Sequence, residues 1–309
     1  MKLAFLYAGQ GTQHAGMGKD LYEAYPAFRS VLDEAQVDFD LKGLCFDGPD
    51  ALLSQTQYTQ PCMVAFAAGV TAVLYEAGIR PCMAAGLSLG EYSALHAAGV
   101  LDARTAISLV AFRGRAMAEA VKDRPSAMAA VLMLGREELQ RCCDASSSLG
   151  VVEIANYNCP GQLVIAGDAA AVERAGGLAK EAGAKRILPL KVSGPFHTSL
   201  MAPAGAALRE RFQSVAFSPM DFPVLFNCKG GPKEADEAIP DLLVRQVQSS
   251  VYLEDTIRYL ERQGVDTVVE IGPGKALSGF VKKTAKSIRC CPVETAEDME
   301  RLRSDLKGA

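Results

Sequence analysis

The sequence contains few of the residues from which histidine bases, metal sites and disulfide frameworks are built. Its 309 residues include only three histidines, which are His14, His96 and His197. The nine cysteines are an odd number and form no C-x-x-C pair, which argues against a disulfide framework and against a structural zinc site. Free cysteines indicate a reducing compartment, so we expect a cytoplasmic protein. Any histidine base must be one of the three, and we expect no metal and no other cofactor.

Positive charge and long apolar segments are also scarce. The chain carries 32 basic and 36 acidic residues, for a formal net charge of −4, and has no long run of Lys and Arg. It is therefore a poor candidate for binding nucleic acid through the phosphates. The longest apolar run, residues 62–75, is shorter than the roughly 20 residues of a membrane span, and residues 2–8 are too short for a signal-peptide core. We expect neither nucleic acid nor a membrane as a partner.

The composition is that of a globular protein with a large core, because 49% of the residues are apolar and 22% are charged. At roughly 100–200 residues per domain, the length allows two domains, or one large domain with an insertion. Apolar runs typical of strands alternate with helical patterns along most of the chain, starting with a strand at residues 2–8. This alternation predicts an α/β fold with a mostly parallel sheet. Segment 61–77 has no polar face and is predicted to form a buried helix.

Residues 126–190 follow a different pattern. Strands are predicted at 127–134, 151–156, 162–166 and 186–190, and helices at 137–144 and 169–182. The order βαββαβ is that of a ferredoxin-like unit. Turn formers and charged residues are concentrated at both ends of this region. We therefore predict a large domain of residues 1–125 and 194–309, and a small ferredoxin-like domain of residues 126–193 inserted into it.

The pentapeptide Gly86-Leu87-Ser88-Leu89-Gly90 is the most informative segment of the sequence. It follows a predicted strand and begins a helical pattern, as the G-x-S-x-G nucleophile elbow requires. The turn is so sharp that the residues two before and two after the serine must lack side chains. It also exposes the hydroxyl at a helix N-terminus, which favours developing negative charge. We predict that Ser88 is a nucleophile in an α/β-hydrolase-like large domain; a chance Gly/Ser turn is the alternative.

The loop after the first strand, AGQGTQ at residues 8–13, stands where lipase-type enzymes have an H-G-G-G oxyanion loop. Its position at the carboxyl end of a strand is typical of ligand-binding loops. The loop does not match nucleotide-binding motifs. A dinucleotide fingerprint would need glycine in place of His14, and a phosphate-binding loop ending at Gly18-Lys19 would need glycine in place of Gln13.

A serine nucleophile needs a base, and the choice among the histidines is short. His96 lies about 12 Å beyond Ser88 along the predicted helix and cannot reach its hydroxyl. His14 lies beside the glycine loop, where it either touches substrate or is solvated. His197 lies where the predicted insertion returns to the large domain, at a rigid entrance to a helix. We expect His197 to be the base, with a capping or packing histidine as the alternative.

Arg113 is the other unusual residue. On the helix predicted over 102–121, its neighbours three and four positions away are all apolar: Leu109, Val110, Ala116 and Met117. Burying an unpaired guanidinium costs on the order of several kcal/mol, so Arg113 must have an anionic partner. The residues alone leave two partners open, which are an internal Asp or Glu and the carboxylate of a substrate.

Seven short motifs, taken in order, make the sequence resemble the malonyl-CoA:acyl carrier protein transacylases, the acyltransferase family of fatty-acid and polyketide synthesis. The resemblance runs from Phe5 to about Gly279. Each motif is weak alone, but seven in the same order are highly specific. They are GQGTQ (9–13), GLSLGEY (86–92), RGRAM (113–117), NCPGQLVIAG (158–167), GPFH (194–197), VRQ (244–246) and EIGPG (270–274).

The resemblance implies a role for each matching position. Ser88 matches the acylated nucleophile, His197 its base, and Arg113 the residue that holds the malonyl carboxylate. The backbone N–H groups of Gln10 and Leu89 match the two donors of the oxyanion hole.

Other matches concern orientation and selectivity. The backbone carbonyl of Gln246 matches the group that orients the histidine, so that a Ser–His dyad would serve without an acid. Phe196 matches the bulky residue of malonyl-selective members. Leu87 departs from the family, many of whose members have histidine there, and we expect altered pocket polarity rather than lost activity.

The activity that the resemblance implies is transfer of the malonyl group from malonyl-CoA to the phosphopantetheine thiol of acyl carrier protein, by a ping-pong mechanism through Ser88. Malonyl-CoA and acyl carrier protein would be its partners, and we expect a monomer. One alternative is a serine esterase or thioesterase with a Ser88–Asp168–His197 triad. The other is a scaffold that binds acyl carrier protein with a degenerate site.

Overall fold

The computed structural model describes residues 1–190, 192 and 194–307. The strands are β1 (Leu3–Tyr7), β2 (Met83–Gly86), β3 (Ser126–Leu132), β4 (Val152–Cys159), β5 (Gln162–Asp168), β6 (Arg186–Pro189), β7 (Leu225–Phe226), β8 (Gly231–Pro232), β9 (Thr267–Ile271) and β10 (Arg289–Val293). The helices are α1 (Lys19–Ala24), α2 (Pro26–Asp33), α3 (Leu41–Asp47), α4 (Asp50–Leu53), α5 (Thr56–Glu76), α6 (Gly90–Ala97), α7 (Ala103–Glu119), α8 (Arg136–Asp144), α9 (Ala169–Glu181), α10 (Ala202–Phe212), α11 (Ile239–Val247), α12 (Leu253–Arg262), α13 (Ala276–Thr284) and α14 (Ala296–Lys307). Short 3₁₀ helices lie at Ser147–Leu149 and Ser199–Met201.

One sheet is parallel throughout, with the strand order β10-β9-β1-β2. Every residue of β1, β2 and β9 is buried, which explains why these strands are apolar runs rather than alternating sequences. The strands end at one edge, with Tyr7 beside both Gly86 and Ile271, and Ile271 beside Val293. Ligands of parallel sheets bind at the carboxyl edge. The predicted α/β fold with a parallel sheet is confirmed.

A second sheet is antiparallel, with the strand order β4-β5-β3-β6. The elements from β3 to β6 follow the predicted order βαββαβ, with one 3₁₀ turn added before β4. Helices α8 and α9 share a hydrophobic core with this sheet, in which Leu139 and Val172 are packed with Val131, Ile154 and Ile165. The alternation of these apolar residues along the strands directs one face of the sheet to the helices.

The chain divides into two compact units. The first comprises Met1–Arg115, Val215–Leu225 and Arg258–Ala309 and holds the parallel sheet; the second comprises Ala116–Ser214 and Phe226–Ile257 and holds the antiparallel sheet. The second unit contains segment 126–193 and extends beyond it on both sides. The division at 125/126 and 193/194 therefore stays a prediction. Lys191 and Ser193, at its downstream end, lie outside the described residues.

Several elements differ from the prediction. The long buried helix begins at Thr56, five residues before the predicted start, and encloses Pro61 near its first turns. As the sixth residue of the helix, Pro61 lies beyond the first four backbone N–H groups, which have no intrahelical partner, so it costs the helix one backbone hydrogen bond. Strand β10 was not predicted. It begins with Arg289 and includes Pro292, and it pairs with β9 at the edge of the sheet, where proline is tolerated.

The cysteines are free thiols, and seven of the nine are buried as small apolar side chains. Within the described part of the chain, no group of three or more His, Cys, Asp or Glu residues could hold a metal ion. No helix in the same residues combines the length and hydropathy that a membrane span requires.

Candidate active site

Ser88 lies in a strained turn between β2 and α6. Its φ angle is 52°, in the left-handed region of backbone conformation that residues other than glycine rarely adopt. A Cβ atom on Gly86 would lie 2.0 Å from the carbonyl carbon of Gly90, and one on Gly90 would lie 2.3 Å from the carbonyl oxygen of Tyr7. Glycine is therefore sterically required at both positions. The strand–turn–helix geometry expected of the pentapeptide is present in the structure.

Arg113 lies on α7 with its guanidinium beside the Ser88 hydroxyl. The side chain is 1% exposed. Its Nη2 donates to Ser88 Oγ at 3.2 Å and its Nη1 to Gln60 Oε1 at 3.0 Å, while the guanidinium carbon lies 5.3 Å from the centre of the Tyr92 ring. Burial lowers the pKa of Arg113, and the negative charge of the buried Glu91 opposes that shift. An internal acid thus contributes to its environment, and the fork is aimed at the hydroxyl.

The glycine loop after β1 approaches the elbow closely. A Cβ atom on Gly9 would lie 2.6 Å from the carbonyl oxygen of Leu87, so glycine is required for this approach. The Gln10 side chain donates from Nε2 to Thr56 Oγ1 at 3.0 Å, at the start of α5. Leu89 immediately precedes α6, where helix N–H groups and the helix dipole favour an anion. The two segments predicted to supply the oxyanion donors are therefore adjacent.

His197, in the second unit, is held by a backbone carbonyl. The residue is 4% exposed and has a φ angle of 63°. Its Nδ1 lies 2.9 Å from the carbonyl oxygen of Gln246 on α11. A carbonyl oxygen only accepts hydrogen bonds, so Nδ1 carries the proton and Nε2 of the neutral ring is left as the basic nitrogen. Phe196 precedes the histidine and is buried. The role of Phe196 in selectivity stays a prediction.

Asp168 is engaged elsewhere than at His197. Arg124 binds its two carboxylate oxygens through Nε and Nη2, at 2.7 Å and 2.9 Å, and the backbone N–H of Val151 donates to Oδ2 at 2.8 Å. The Arg124 guanidinium lowers the pKa of Asp168. In a triad the acid would bind His197 Nδ1, and that atom contacts the Gln246 carbonyl. The structure therefore does not favour the Ser88–Asp168–His197 arrangement.

The remaining histidines occupy two different environments. His96 is enclosed near the end of α6, where its Nδ1 lies 3.0 Å from the carbonyl oxygen of Leu101 and burial lowers its pKa. It is a partly buried residue bound to the backbone, and its exclusion as a base stays a prediction. His14 is half-exposed beside the glycine loop and its Nε2 lies 2.8 Å from Glu294 Oε1.

Gln60 and Thr56 were not predicted as site residues, although both contact residues that were. Both are buried, and they support Arg113 and Gln10 respectively. The only signal in the sequence was that polar residues precede the apolar run of α5. Nothing in that pattern shows which side chain, about 50 residues away in the sequence, they would meet.

Comparisons with known proteins agree with these features. The family described as "Acyl transferase domain" matches residues 4–308. A protein of Bacillus subtilis named malonyl CoA-acyl carrier protein transacylase is 43% identical over 309 residues, covering 99% of this chain and 98% of its own length. A solved structure described as MCAT from Streptococcus pneumoniae is 44% identical, with a TM-score of 0.94, covering 98% of this chain and 100% of its own. A third relative, a malonyl-transacylase solved in complex with a type II PKS acyl-carrier protein, is 38% identical, with a TM-score of 0.95, covering 99% of this chain and 100% of its own.

Proposed function

Because the chain belongs to the acyl transferase domain family, we propose that it transfers the malonyl group of malonyl-CoA to the phosphopantetheine thiol of acyl carrier protein. The names of its relatives support this substrate, and the relative solved with an acyl-carrier protein supports this partner. The product would feed fatty-acid synthesis. Transfer proceeds in two half-reactions through a malonyl ester on Ser88.

The observation that carries the proposal is the 3.2 Å contact between Arg113 Nη2 and Ser88 Oγ. In a malonyl ester on Ser88, the free carboxylate is separated from the ester carbonyl carbon by only two carbon–carbon bonds. The carboxylate therefore stays close to the serine oxygen, which is the atom that Arg113 contacts. A guanidinium can bind a carboxylate through two parallel hydrogen bonds. Gln60 fixes one end of the fork by accepting from Nη1. Arg113 thus selects malonyl over acetyl and orients the thioester carbonyl.

In the first half-reaction Nε2 of His197 removes the proton of Ser88, and Oγ attacks the thioester carbonyl. The oxyanion receives hydrogen bonds from the backbone N–H groups of Gln10 and Leu89. As the intermediate collapses, the carbon–sulfur bond breaks and the thiolate of CoA takes the proton from His197. The ester remains on Ser88, and the Gln246 carbonyl keeps Nδ1 protonated throughout.

The second half-reaction repeats these steps with the pantetheine thiol. Nε2 of His197 removes the thiol proton, the sulfur attacks the Ser88 ester, and the proton returns to Oγ as the carbon–oxygen bond breaks. Phe196, as a bulky side chain, limits the size of the acyl groups that reach Ser88. Leu87 makes the surroundings of Ser88 less polar than a histidine at that position would. These residues require no cofactor, because CoA enters as part of the substrate.

The proposal also covers the domain organisation, the location and the oligomeric state of the protein. Residues 126–193 form a ferredoxin-like small domain inserted into an α/β-hydrolase-like large domain; the βαββαβ order and the strand order β4-β5-β3-β6 support this. The free cysteines support a cytoplasmic location. We further propose that the enzyme acts as a monomer.

The test is to incubate the protein with malonyl-CoA and to search for a malonyl adduct by mass spectrometry of the Ser88 peptide. We expect a stable adduct that disappears when holo acyl carrier protein is added, with malonyl-carrier as the product. Ser88→Ala is the control and gives no adduct. Release of free malonate without a carrier would identify an esterase, and the absence of both adduct and turnover in the wild type would identify a scaffold.

A further inference from the structure

The glycine loop that carries Gln10 is fastened at its far end by His14. The imidazole Nδ1 lies 3.0 Å from the carbonyl oxygen of Ala15, and Nε2 lies 2.8 Å from Glu294 Oε1. Glu294 directly follows β10, whereas His14 lies in the connection between β1 and α1. This contact therefore joins two loops at the carboxyl edge of the parallel sheet.

The partners of the imidazole favour its protonated state. A carbonyl oxygen and an ionised carboxylate both accept hydrogen bonds and cannot donate them. A neutral imidazole has one N–H and can satisfy only one of the two, whereas an imidazolium has two N–H groups and satisfies both. Hydrogen bonding to Ala15 and Glu294 raises the pKa of His14. The geometry is thus that of a charged histidine.

Glu294 extends the contact to a third loop. Its other carboxylate oxygen, Oε2, accepts from the backbone N–H of Gly274 at 3.0 Å, in the turn after β9. That turn packs directly against the glycine loop. A Cβ atom on Gly274 would lie 3.7 Å from Thr12 Cβ, and one on Gly272 would lie 2.4 Å from Ala8 Cβ. One carboxylate therefore binds the end of the glycine loop and the turn that backs it.

Three acidic groups lie near the His14–Glu294 contact: Asp50 acts on His14, whereas Asp298 and Glu270 lie beside Glu294. Asp50 on α4 accepts from the backbone N–H of Ala15 at 2.7 Å and raises the pKa of His14. Asp298 on α14 accepts from the backbone N–H of Glu294 at 3.1 Å and pairs with Arg301. Glu270 on β9 accepts from the first N–H groups of α13. This environment favours the protonated ring, and loss of the proton removes a favourable charge from it.

We propose that charged His14, held by Glu294, is a positioning residue that keeps the Gln10 backbone N–H aimed at the oxyanion, so that acyl transfer slows when the ring becomes neutral. The inference rests on the role proposed for Gln10 in that transfer. Below the raised pKa of His14 both ring bonds are present. As the pH rises through that pKa, one bond and the charge are lost, and the loop is held less firmly. The effect falls on kcat, because the oxyanion forms only in the transition state.

The experiment measures kcat and KM for malonyl transfer across the neutral pH range in the wild type, His14→Gln and Glu294→Gln. For a half-exposed ion pair we expect a fall in kcat of about two- to five-fold as the wild type passes the pKa of His14, with KM unchanged. Both variants should be slow at the acidic end by the same factor and lose this alkaline decline. Asp241→Asn breaks the exposed ion pair with Arg209 and should keep the wild-type profile.

A second measurement tests the inference without enzyme turnover. With only three histidines, NMR can follow the His14 ring and the Gln10 amide in the same titration. We expect the Gln10 amide shift to change with the protonation of His14 in the wild type and not in His14→Gln, and the pKa of His14 to fall in Glu294→Gln. The inference would be overturned if the Gln10 amide shift did not change as His14 titrates, or if the variants kept the wild-type dependence of kcat on pH. Failure of the proposed function appears separately, as the absence of a malonyl adduct on Ser88.

Discussion

Replacement of Arg113 with alanine should remove the preference for malonyl over acetyl. The guanidinium contacts Ser88 Oγ and Gln60 Oε1 from a side chain that is 1% exposed. A malonyl carboxylate in this place is desolvated, and only Arg113 among the contacts described there offers it a two-pronged donor. An acetyl group has no carboxylate and makes no use of the fork.

The size of the effect follows from burial. Removing one partner of a buried ion pair costs about 3–5 kcal/mol, and about 1.36 kcal/mol corresponds to a factor of ten in rate. We therefore expect kcat/KM for malonyl-CoA to fall about 150- to 5,000-fold, and kcat/KM for acetyl-CoA to change by less than about tenfold. Arg113→Lys keeps the charge but not the fork, and should lie between the wild type and alanine.

The assay compares malonyl and acetyl transfer to holo acyl carrier protein for the wild type, Arg113→Ala and Arg113→Lys. Arg115→Ala is a matched control, because Arg115 lies two residues along the same helix, is exposed and pairs with Asp38. In Arg113→Ala the buried carboxylate of Glu91 loses a nearby positive charge, which could destabilise the fold. Thermal unfolding of each variant checks that the protein is still folded. An Arg113→Ala enzyme that is folded and keeps the wild-type ratio of malonyl to acetyl transfer would refute the role of Arg113.

Two further predictions concern the neighbouring structure. Asp168→Asn should leave kcat for steady-state transfer nearly unchanged, because Asp168 binds Arg124 and Val151 rather than the base. A fall of kcat by orders of magnitude would instead support the Ser88–Asp168–His197 triad. Gly86→Ala should lower the melting temperature and abolish the Ser88 adduct, because the new Cβ would lie 2.0 Å from the Gly90 carbonyl carbon; a folded, active Gly86→Ala enzyme would show that the turn is less constrained than the structure indicates.

The elements that could be predicted from the sequence are those determined by residues close together in the chain, through steric limits and through the periodicity of apolar residues. The glycines of the elbow follow from the sharpness of the turn, and the helix predicted over 102–121 is observed as α7, Ala103–Glu119. Asp102 caps α7 from the position before it, where its Oδ1 accepts from the backbone N–H of Thr105 at 2.7 Å. Strand β10 was missed because its charge and proline resemble a loop, and only pairing with β9 makes it a strand.

The site was predictable where a motif carried it and not where a distant contact did. Apolar neighbours showed that Arg113 is buried, but not that its fork meets Gln60, 53 positions away. The family resemblance supplied the role of Gln246, because a backbone carbonyl leaves no trace in side-chain chemistry. The contact of His14 with Glu294, 280 positions away, had no signal in the sequence beyond the presence of a histidine beside a glycine loop.

The neutral carbonyl that holds His197 has a consequence for the fate of the acyl-enzyme. A carboxylate in its place would stabilise the imidazolium by a full negative charge and make the ring a stronger base. A weaker base suffices for a thiol, whose pKa is about 8.5, but gives less help to water, whose pKa is about 15.7. We therefore expect an amide dipole behind the ring to favour attack by sulfur over hydrolysis, so that the proposed malonyl ester persists until its carrier arrives.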